Sequence, residues 1–176
     1  MLNYVYGMNL RVAVILMLVL LSIWGILCKQ VSIKNRIALN MILFCISVAT
    51  ILYITLLTRT PGTYAVVLAP FAALKAAKHQ PELYREMLMN VFLFFPLGLT
   101  LSGALPQTWH RWWRIILTML VGCVLSAGIE YAQYCFALGM AETDDVICNT
   151  LGAFIGSTSL LIDHAMEQRK EGFPRL

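Results

Sequence analysis

The stretch Ile115–Leu138, IILTMLVGCVLSAGIEYAQYCFAL, is an apolar run of 24 residues that contains the strongly polar side chains of Glu130 and Gln133. A hydrocarbon core of about 30 Å is crossed by a helix of about 20 apolar residues, so this run predicts a membrane-spanning helix. Within it, a carboxylate is unfavourable by roughly 2.5–3.5 kcal/mol on insertion scales. Glu130 is therefore expected to be paired, protonated or functional, about 12 Å below the predicted helix end.

The composition of the whole chain agrees with a membrane protein. Its 176 residues are 60% hydrophobic and 12% charged, with a mean hydropathy of +0.76, which is more apolar than a soluble domain of this size requires. We expect one transmembrane domain over residues 1–176. The net charge of +4 comes from basic residues at segment ends, which argues against nucleic-acid binding. The five cysteines have no paired spacing and are interpreted as packing residues.

We predict an all-α polytopic bundle, because lipid offers no partner for open strand edges. The five predicted spans are Val12–Cys28, Ile37–Leu57, Met87–Ala104, Ile115–Leu138 and Val146–Ile162. The long connection between the second and third spans contains the apolar segment Ala65–Lys78, interrupted by Pro70. It is short and ends in lysines, so we predict a re-entrant or interfacial segment there instead of a sixth span.

The distribution of Lys and Arg predicts the orientation. With the N-terminus outside, the inner connections hold eight of these residues and the outer ones five, so we expect an N-out, C-in protein of the plasma membrane. The segment TWHRWWR, residues 108–114, is interpreted as an interfacial aromatic belt with positive charges on the inner side.

Alternating spans place the end of the second, the start of the third, the end of the fourth and the start of the fifth on one side. Glu130 and Gln133 share a helix face, as do Asp145 and Asn149. If the small-residue face that continues from Asn149 packs on the fourth span, these faces meet in an acidic pocket that opens outward. The polar residues on that side are Arg59, Asn90, Glu130, Gln133, Glu142, Asp144, Asp145 and Asn149.

The acidic residues also have structural interpretations. Asp144 and Asp145 follow Thr143 at a predicted helix start, where they would cap the fifth helix and complement its dipole. For Glu130 a purely structural role is the less favoured alternative.

The other polar residues leave similar alternatives open. Gln133 and Asn149 would form hydrogen bonds across helices. Arg59 would either snorkel to the interface or pair with an acid of the pocket. Asn90 would satisfy backbone groups that the nearby proline leaves free.

The segment Phe136–Gly156, FALGMAETDDVICNTLGAFIG, together with the upstream E-x-x-Q, resembles the VanZ-like family of bacterial membrane proteins. Its pattern continues with a short acidic loop and then D-(V/I/L)-I-x-N-T-x-G-(A/G)-x-x-G. A second motif of the family, N-x-x-x-F-x-P-x-G, corresponds to NVFLFFPLG at residues 90–98. The matching residues of the first motif are Glu130, Gln133, Asp145, Asn149, Thr150, Gly152 and Gly156.

The resemblance covers roughly residues 50–160 and also includes Arg59 and the Pro70–Phe71 pair. This chain departs from the pattern at Gly139, where many members have Arg, and at Val67, where Asn often precedes the Pro-Phe pair. The resemblance implies a bacterial plasma-membrane protein of the cell envelope, of a family whose founding members are associated with low-level resistance to teicoplanin-type antibiotics.

Two functional classes remain. An enzyme would hold a divalent cation such as Mg²⁺ through Glu130 and Asp145, or use them as a base, to act on a lipid-linked cell-wall precursor. Gln133 and Asn149 would then orient the substrate. Its binding residues would be Arg59, Asn90, Lys75 and Glu142.

The alternative is a non-catalytic accessory protein that binds a lipid or a partner protein and changes access to the cell surface. Membrane lipids are the expected partners in either case, and a homo-oligomer is compatible with the sequence. A transporter is less favoured, since five spans show no internal repeat.

Overall fold

Helices dominate the computed structural model, which describes Trp24, residues 32–59 and residues 61–171, with side chains described no further than residue 159. The helices are α1 (Ile33–Leu52), extended by a π-helical turn at Tyr53–Leu57, α2 (Ala72–Ala76), α3 (Pro81–Ala104), α4 (Arg111–Cys135) and α5 (Thr143–Glu171). Three stretches of the described part are long and apolar enough to cross a membrane: Asn35–Leu57, Glu82–Ala104 and Arg111–Cys135. The all-α membrane fold class is therefore confirmed.

These three helices correspond to the second, third and fourth predicted spans. α3 begins six residues before the predicted span, with Pro81 in its first turn, a position where the missing N–H of proline is harmless. The fifth predicted span lies within the longer helix α5, and its crossing of the membrane stays a prediction. The first predicted span lies outside the described residues, except for Trp24, whose Nε1 donates to Oδ1 of Asn40 at 2.9 Å.

The fourth helix is shorter than predicted at its end. α4 stops at Cys135 and not at Leu138, because Ala137 adopts a left-handed backbone with φ 54° and the chain turns into a strand. Glu130 is consequently about 8 Å from the end of its helix, nearer to the surface than predicted.

Two short parallel strands, β1 (Thr63–Val67) and β2 (Leu138–Glu142), are absent from the prediction. Thr63 pairs with Leu138 at one end of the register and Val67 with Glu142 at the other. These strands can form in a protein of this class because each supplies the other's backbone partners. Together with α2, β1 occupies most of the segment predicted as re-entrant or interfacial, so no spanning helix forms there.

α5 packs along α3 through its glycine face. A Cβ at Gly152 would lie 2.2 Å from the carbonyl oxygen of Val91, and one at Gly156 would lie 2.2 Å from that of Phe95. The condition that this glycine face packs on the fourth span is not met, because its glycines contact α3, although Asn149 on the same helix bonds to Ser126 of α4. The apolar core lies beside this contact and contains Ile51, Phe94, Leu97, Ile129 and Ala153.

The segment predicted as an aromatic belt, residues 108–114, has exposed tryptophans but a buried arginine at its end. The side chains of Trp109, Trp112 and Trp113 are exposed, as a belt requires, and Arg111 lies over the Trp112 ring. Arg114, in contrast, is 4% exposed and donates from Nη2 to the carbonyl oxygen of Ser102 in the last turn of α3. Its guanidinium caps a helix C-terminus, where the backbone carbonyls lack partners, and it does not face the interface.

Candidate binding site at the acidic end

The end of α1, the start of α3, the end of α4 and the start of α5 meet at one end of the bundle, together with both strands; we call this the acidic end. Arg59 interacts electrostatically there with Glu130, Glu142 and Asp145. Asn90 hydrogen-bonds to Asp145. The structure thus brings together five of the residues that helix alternation places on one side, and their individual roles stay predictions.

Glu130 has a partner that is remote in sequence. Its Oε2 accepts a hydrogen bond of 2.9 Å from the backbone N–H of Glu142, in the last position of β2. The Glu130 side chain is 8% exposed. A buried carboxylate therefore supplies the partner for a backbone group that the two-stranded sheet leaves open.

Asp145 and Glu142 form the more accessible part of the acidic end, and both are half-buried. Burial, followed by repulsion from Glu142, raises the pKa of Asp145 to about 6, although Arg59 and Asn90 act in the opposite direction. Burial, followed by repulsion from Asp144 and Glu86, also raises the pKa of Glu142. The two carboxyl groups therefore share a region in which negative charge is in excess.

Arg59 lies against the backbone of β2. A Cβ at Gly139 would be 2.6 Å from Nη1 of Arg59, and Gly139 has φ +145°, a region that favours glycine. In the part of the chain that the structure describes, the one ion pair closer than 4.0 Å joins Arg85 and Glu82. Arg59 is accordingly near three carboxylates without contacting any of them directly.

Asp144 has a structural role different from the predicted one. Its two carboxylate oxygens accept hydrogen bonds from the backbone N–H groups of Phe71 and Ala73, at 2.5 and 2.7 Å. These groups lie at the start of α2, so Asp144 caps α2 and does not cap its own helix. The side chain is 4% exposed, which explains an aspartate at this position without any role in binding.

The side-chain amides of Gln133 and Asn149 form hydrogen bonds between helices, which is the structural role that the sequence suggests for them. Nε2 of Gln133 donates to the carbonyl oxygen of Thr55 at 3.0 Å, and Nδ2 of Asn149 donates to Oγ of Ser126 at 2.8 Å. Their oxygens, Oε1 and Oδ1, have no partner within the described residues. Sequence reasoning missed Thr55 and Ser126, although Ser126 lies one turn before Glu130 on the same face of α4.

Lys75 and the metal prediction find no support in the geometry. The Lys75 side chain is exposed on α2, and none of the electrostatic interactions of Glu130, Glu142 or Asp145 involves it. Over the described ranges, no three side chains of the His, Cys, Asp and Glu types are grouped so that they could hold a metal ion. A divalent cation held by Glu130 and Asp145 would thus need further ligands from outside the protein.

Comparison with known proteins shows the family of this chain. A family model described as VanZ/LLP1 matches residues 12–162, which include every residue of the acidic end. The chain belongs to the VanZ/LLP1 family. It is also 38% identical to Protein VanZ of Enterococcus faecium over 79 residues, an alignment that spans 42% of each chain. No solved structure matches this VanZ/LLP1 protein significantly.

Proposed function

We propose that this VanZ/LLP1 protein binds the polar headgroup of a lipid or lipid-linked envelope molecule at its acidic end, and thereby contributes to resistance to teicoplanin-type glycopeptides. The observation that supports this most is the position of Arg59, Glu142 and Asp145. These side chains lie together, half-buried, at the end of helices long enough to span a membrane. A site at that level meets lipid headgroups and not acyl chains.

The contacts at the acidic end support binding more than catalysis. Oε2 of Glu130 is bonded to the backbone of β2 and Nδ2 of Asn149 to Ser126, so both side chains make structural contacts that account for their polar character without a catalytic role. The described donor set also lacks a grouping typical of metal-assisted hydrolysis. The proposed role is therefore that of an accessory protein that holds an envelope molecule and changes the access of antibiotics to it.

We also propose that the acidic end faces the outside of the plasma membrane. A test uses single cysteines at Met140 and Gln107, in a chain whose native cysteines are replaced, and a thiol reagent that cannot cross the membrane. Labelling of whole cells at position 140 and not at 107 is expected. The reverse pattern would overturn the orientation.

The function is tested in a glycopeptide-susceptible bacterium that expresses the protein. Arg59→Gln, Glu142→Gln and Asp145→Asn are expected to lower the teicoplanin concentration that the cells tolerate to that of cells without the protein. Glu82→Gln is the matched control, since Glu82 is an exposed carboxylate of α3 outside the group around Arg59. Immunoblots of the membrane fraction establish equal protein levels. Full resistance with all three variants would remove the acidic end from the function.

A parallel measurement addresses catalysis. Purified wild-type protein is incubated with a lipid-linked peptidoglycan precursor, and the products are followed by mass spectrometry. No conversion is expected. Conversion by the wild type that stops in Glu130→Gln would contradict the accessory role and establish an enzyme.

A further inference from the structure

Arg59 keeps its hydrogen-bond donors available although it lies among acids. No nitrogen of Arg59 is within 4.0 Å of a carboxylate oxygen in the residues that the structure covers. Its guanidinium occupies the space above Gly139 that a side chain would otherwise fill. An arginine held in this way can present two parallel N–H groups to an oxyanion, and phosphate matches that geometry.

The carboxylates beside Arg59 outnumber it. Glu142 and Asp145 repel each other, and Glu86 adds to the negative charge on both. A positively charged group placed between them would relieve this repulsion. An organic ammonium would meet this need, because it brings three N–H donors of its own and does not require a group of three metal-ligating side chains, which the described residues do not form.

Asn149 gives an independent indication of a ligand with N–H donors. It lies one turn after Asp145 on the same face of α5 and is 3% exposed. Its Nδ2 bonds to Ser126, whereas Oδ1 has no donor among the described groups. An acceptor buried without a partner is unfavourable, and a donor that enters beneath Asp145 would satisfy it.

We propose that the ligand is zwitterionic, with a phosphate on Arg59 and a primary ammonium group on Glu142 and Asp145. This inference rests on the proposed function and specifies the headgroup of the same site. Two envelope molecules share the chemistry of an amine near a phosphate: a phosphatidylethanolamine lipid, and a lipid-linked peptidoglycan precursor with a free amine on its peptide.

The experiment compares each molecule with its N-acetylated form, which keeps the phosphate and loses the positive charge. The purified full chain is titrated by microscale thermophoresis with four probes: short-chain phosphatidylethanolamine, the lipid-linked precursor, and the N-acetylated derivative of each. For at least one pair, the free amine is expected to bind about tenfold more tightly than the acetylated form. The pair that shows the difference identifies the source of the ligand.

The variants separate the two charges of the ligand. Glu142→Gln and Asp145→Asn should reduce the ratio of the two affinities to about one, whereas Arg59→Gln should weaken both forms alike. Glu82→Gln should behave as the wild type, and thermal unfolding establishes that every variant is folded. Equal affinities within both pairs for the wild type would overturn the zwitterion and leave the proposed function standing. If none of the four probes binds, both fall.

Discussion

The carboxylate of Asp144 holds the backbone of Phe71 from 73 positions further along the chain, by a hydrogen bond of 2.5 Å from the Phe71 N–H. Its second oxygen binds Ala73, so one side chain fixes the segment before α3 onto the start of α5. Phe71 has φ 61°, an unfavourable left-handed conformation for a bulky residue, and these contacts stabilise it. The Pro70–Phe71 pair and the aspartate are thus parts of one structural unit.

Replacing Asp144 should loosen this unit. Asp144→Ala leaves two backbone N–H groups without their charged partner, and we expect a loss of about 2–4 kcal/mol in the free energy of unfolding. Limited proteolysis of the purified protein should cut first in residues 68–80. Glu82→Ala serves as the control, since that side chain is 76% exposed. An unchanged unfolding temperature and cleavage pattern in Asp144→Ala would show that the cap is unimportant.

Two substitutions at Glu130 separate its hydrogen bond from its charge. Glu130→Gln keeps an oxygen that can accept from the Glu142 N–H, so its thermal stability should stay close to that of the wild type. Glu130→Ala removes the acceptor and should destabilise the fold by about 1–3 kcal/mol. Differential scanning fluorimetry in detergent measures both. If Glu130→Gln is as unstable as Glu130→Ala, the negative charge itself is required.

Gly139→Ala should lower resistance as much as Arg59→Gln does, because it displaces the Arg59 guanidinium. The new methyl group would lie 2.6 Å from Nη1 of Arg59 and must displace the guanidinium, while φ +145° adds strain of about 1–3 kcal/mol. Resistance is expected to fall to the level of Arg59→Gln. Gly62→Ala is the control, because a Cβ at that loop position meets no atom within 4 Å. A fully resistant Gly139→Ala strain would contradict the placement of Arg59.

Gly152→Ala should disrupt the contact between α3 and α5. The added Cβ would lie 2.2 Å from the carbonyl oxygen of Val91, which cannot move aside as a flexible side chain could. We expect a destabilisation of about 1–3 kcal/mol and a lower yield of folded protein. Gly128→Ala on α4 has open space around it and should be neutral or slightly stabilising. Equal yields and unfolding temperatures for the two variants would argue against the packing described above.

The pH dependence of stability should report on Asp145. Because its pKa is raised in the fold to about 6, the folded state binds this proton more tightly than the unfolded chain does. The resulting stabilisation is complete below about pH 4, the ordinary range of an aspartate, and is lost as the pH rises through about 6. Asp145→Asn should reduce that decline and be more stable than the wild type near neutral pH, and Glu142, whose pKa is also raised, contributes the part that remains. Unfolding temperatures from pH 4 to 8 give the comparison, and the same slope in both proteins would assign the titration to another group.

The long helices and the grouping of polar residues could be predicted from the sequence. Apolar length identifies α1, α3 and α4, because lipid requires continuous helices and the pattern is local. Helix alternation alone then places Arg59, Asn90 and Glu130 at one end of the bundle. These predictions need only the order and length of the apolar segments.

Contacts that depend on distant parts of the chain could not be predicted. β1 and β2 are five residues each and pair over a separation of about 75 residues, so neither has a local pattern that indicates a strand. The sequence around Asp144 indicates a cap for its own helix and not for α2, since a sequence shows only neighbouring N–H groups. For the same reason, a partner for Glu130 in the backbone of β2 was not foreseen.

The pairing of β1 with β2 also sets an order for biosynthesis. A ribosome that adds roughly 5–20 residues per second completes β1 about 4–15 s before it completes β2. During that interval α3 is synthesised, while the backbone groups of β1 still lack their hydrogen-bond partners in β2. The acidic end can close only after β2 and the start of α5 have been synthesised, so its formation is a late step in the assembly of the protein.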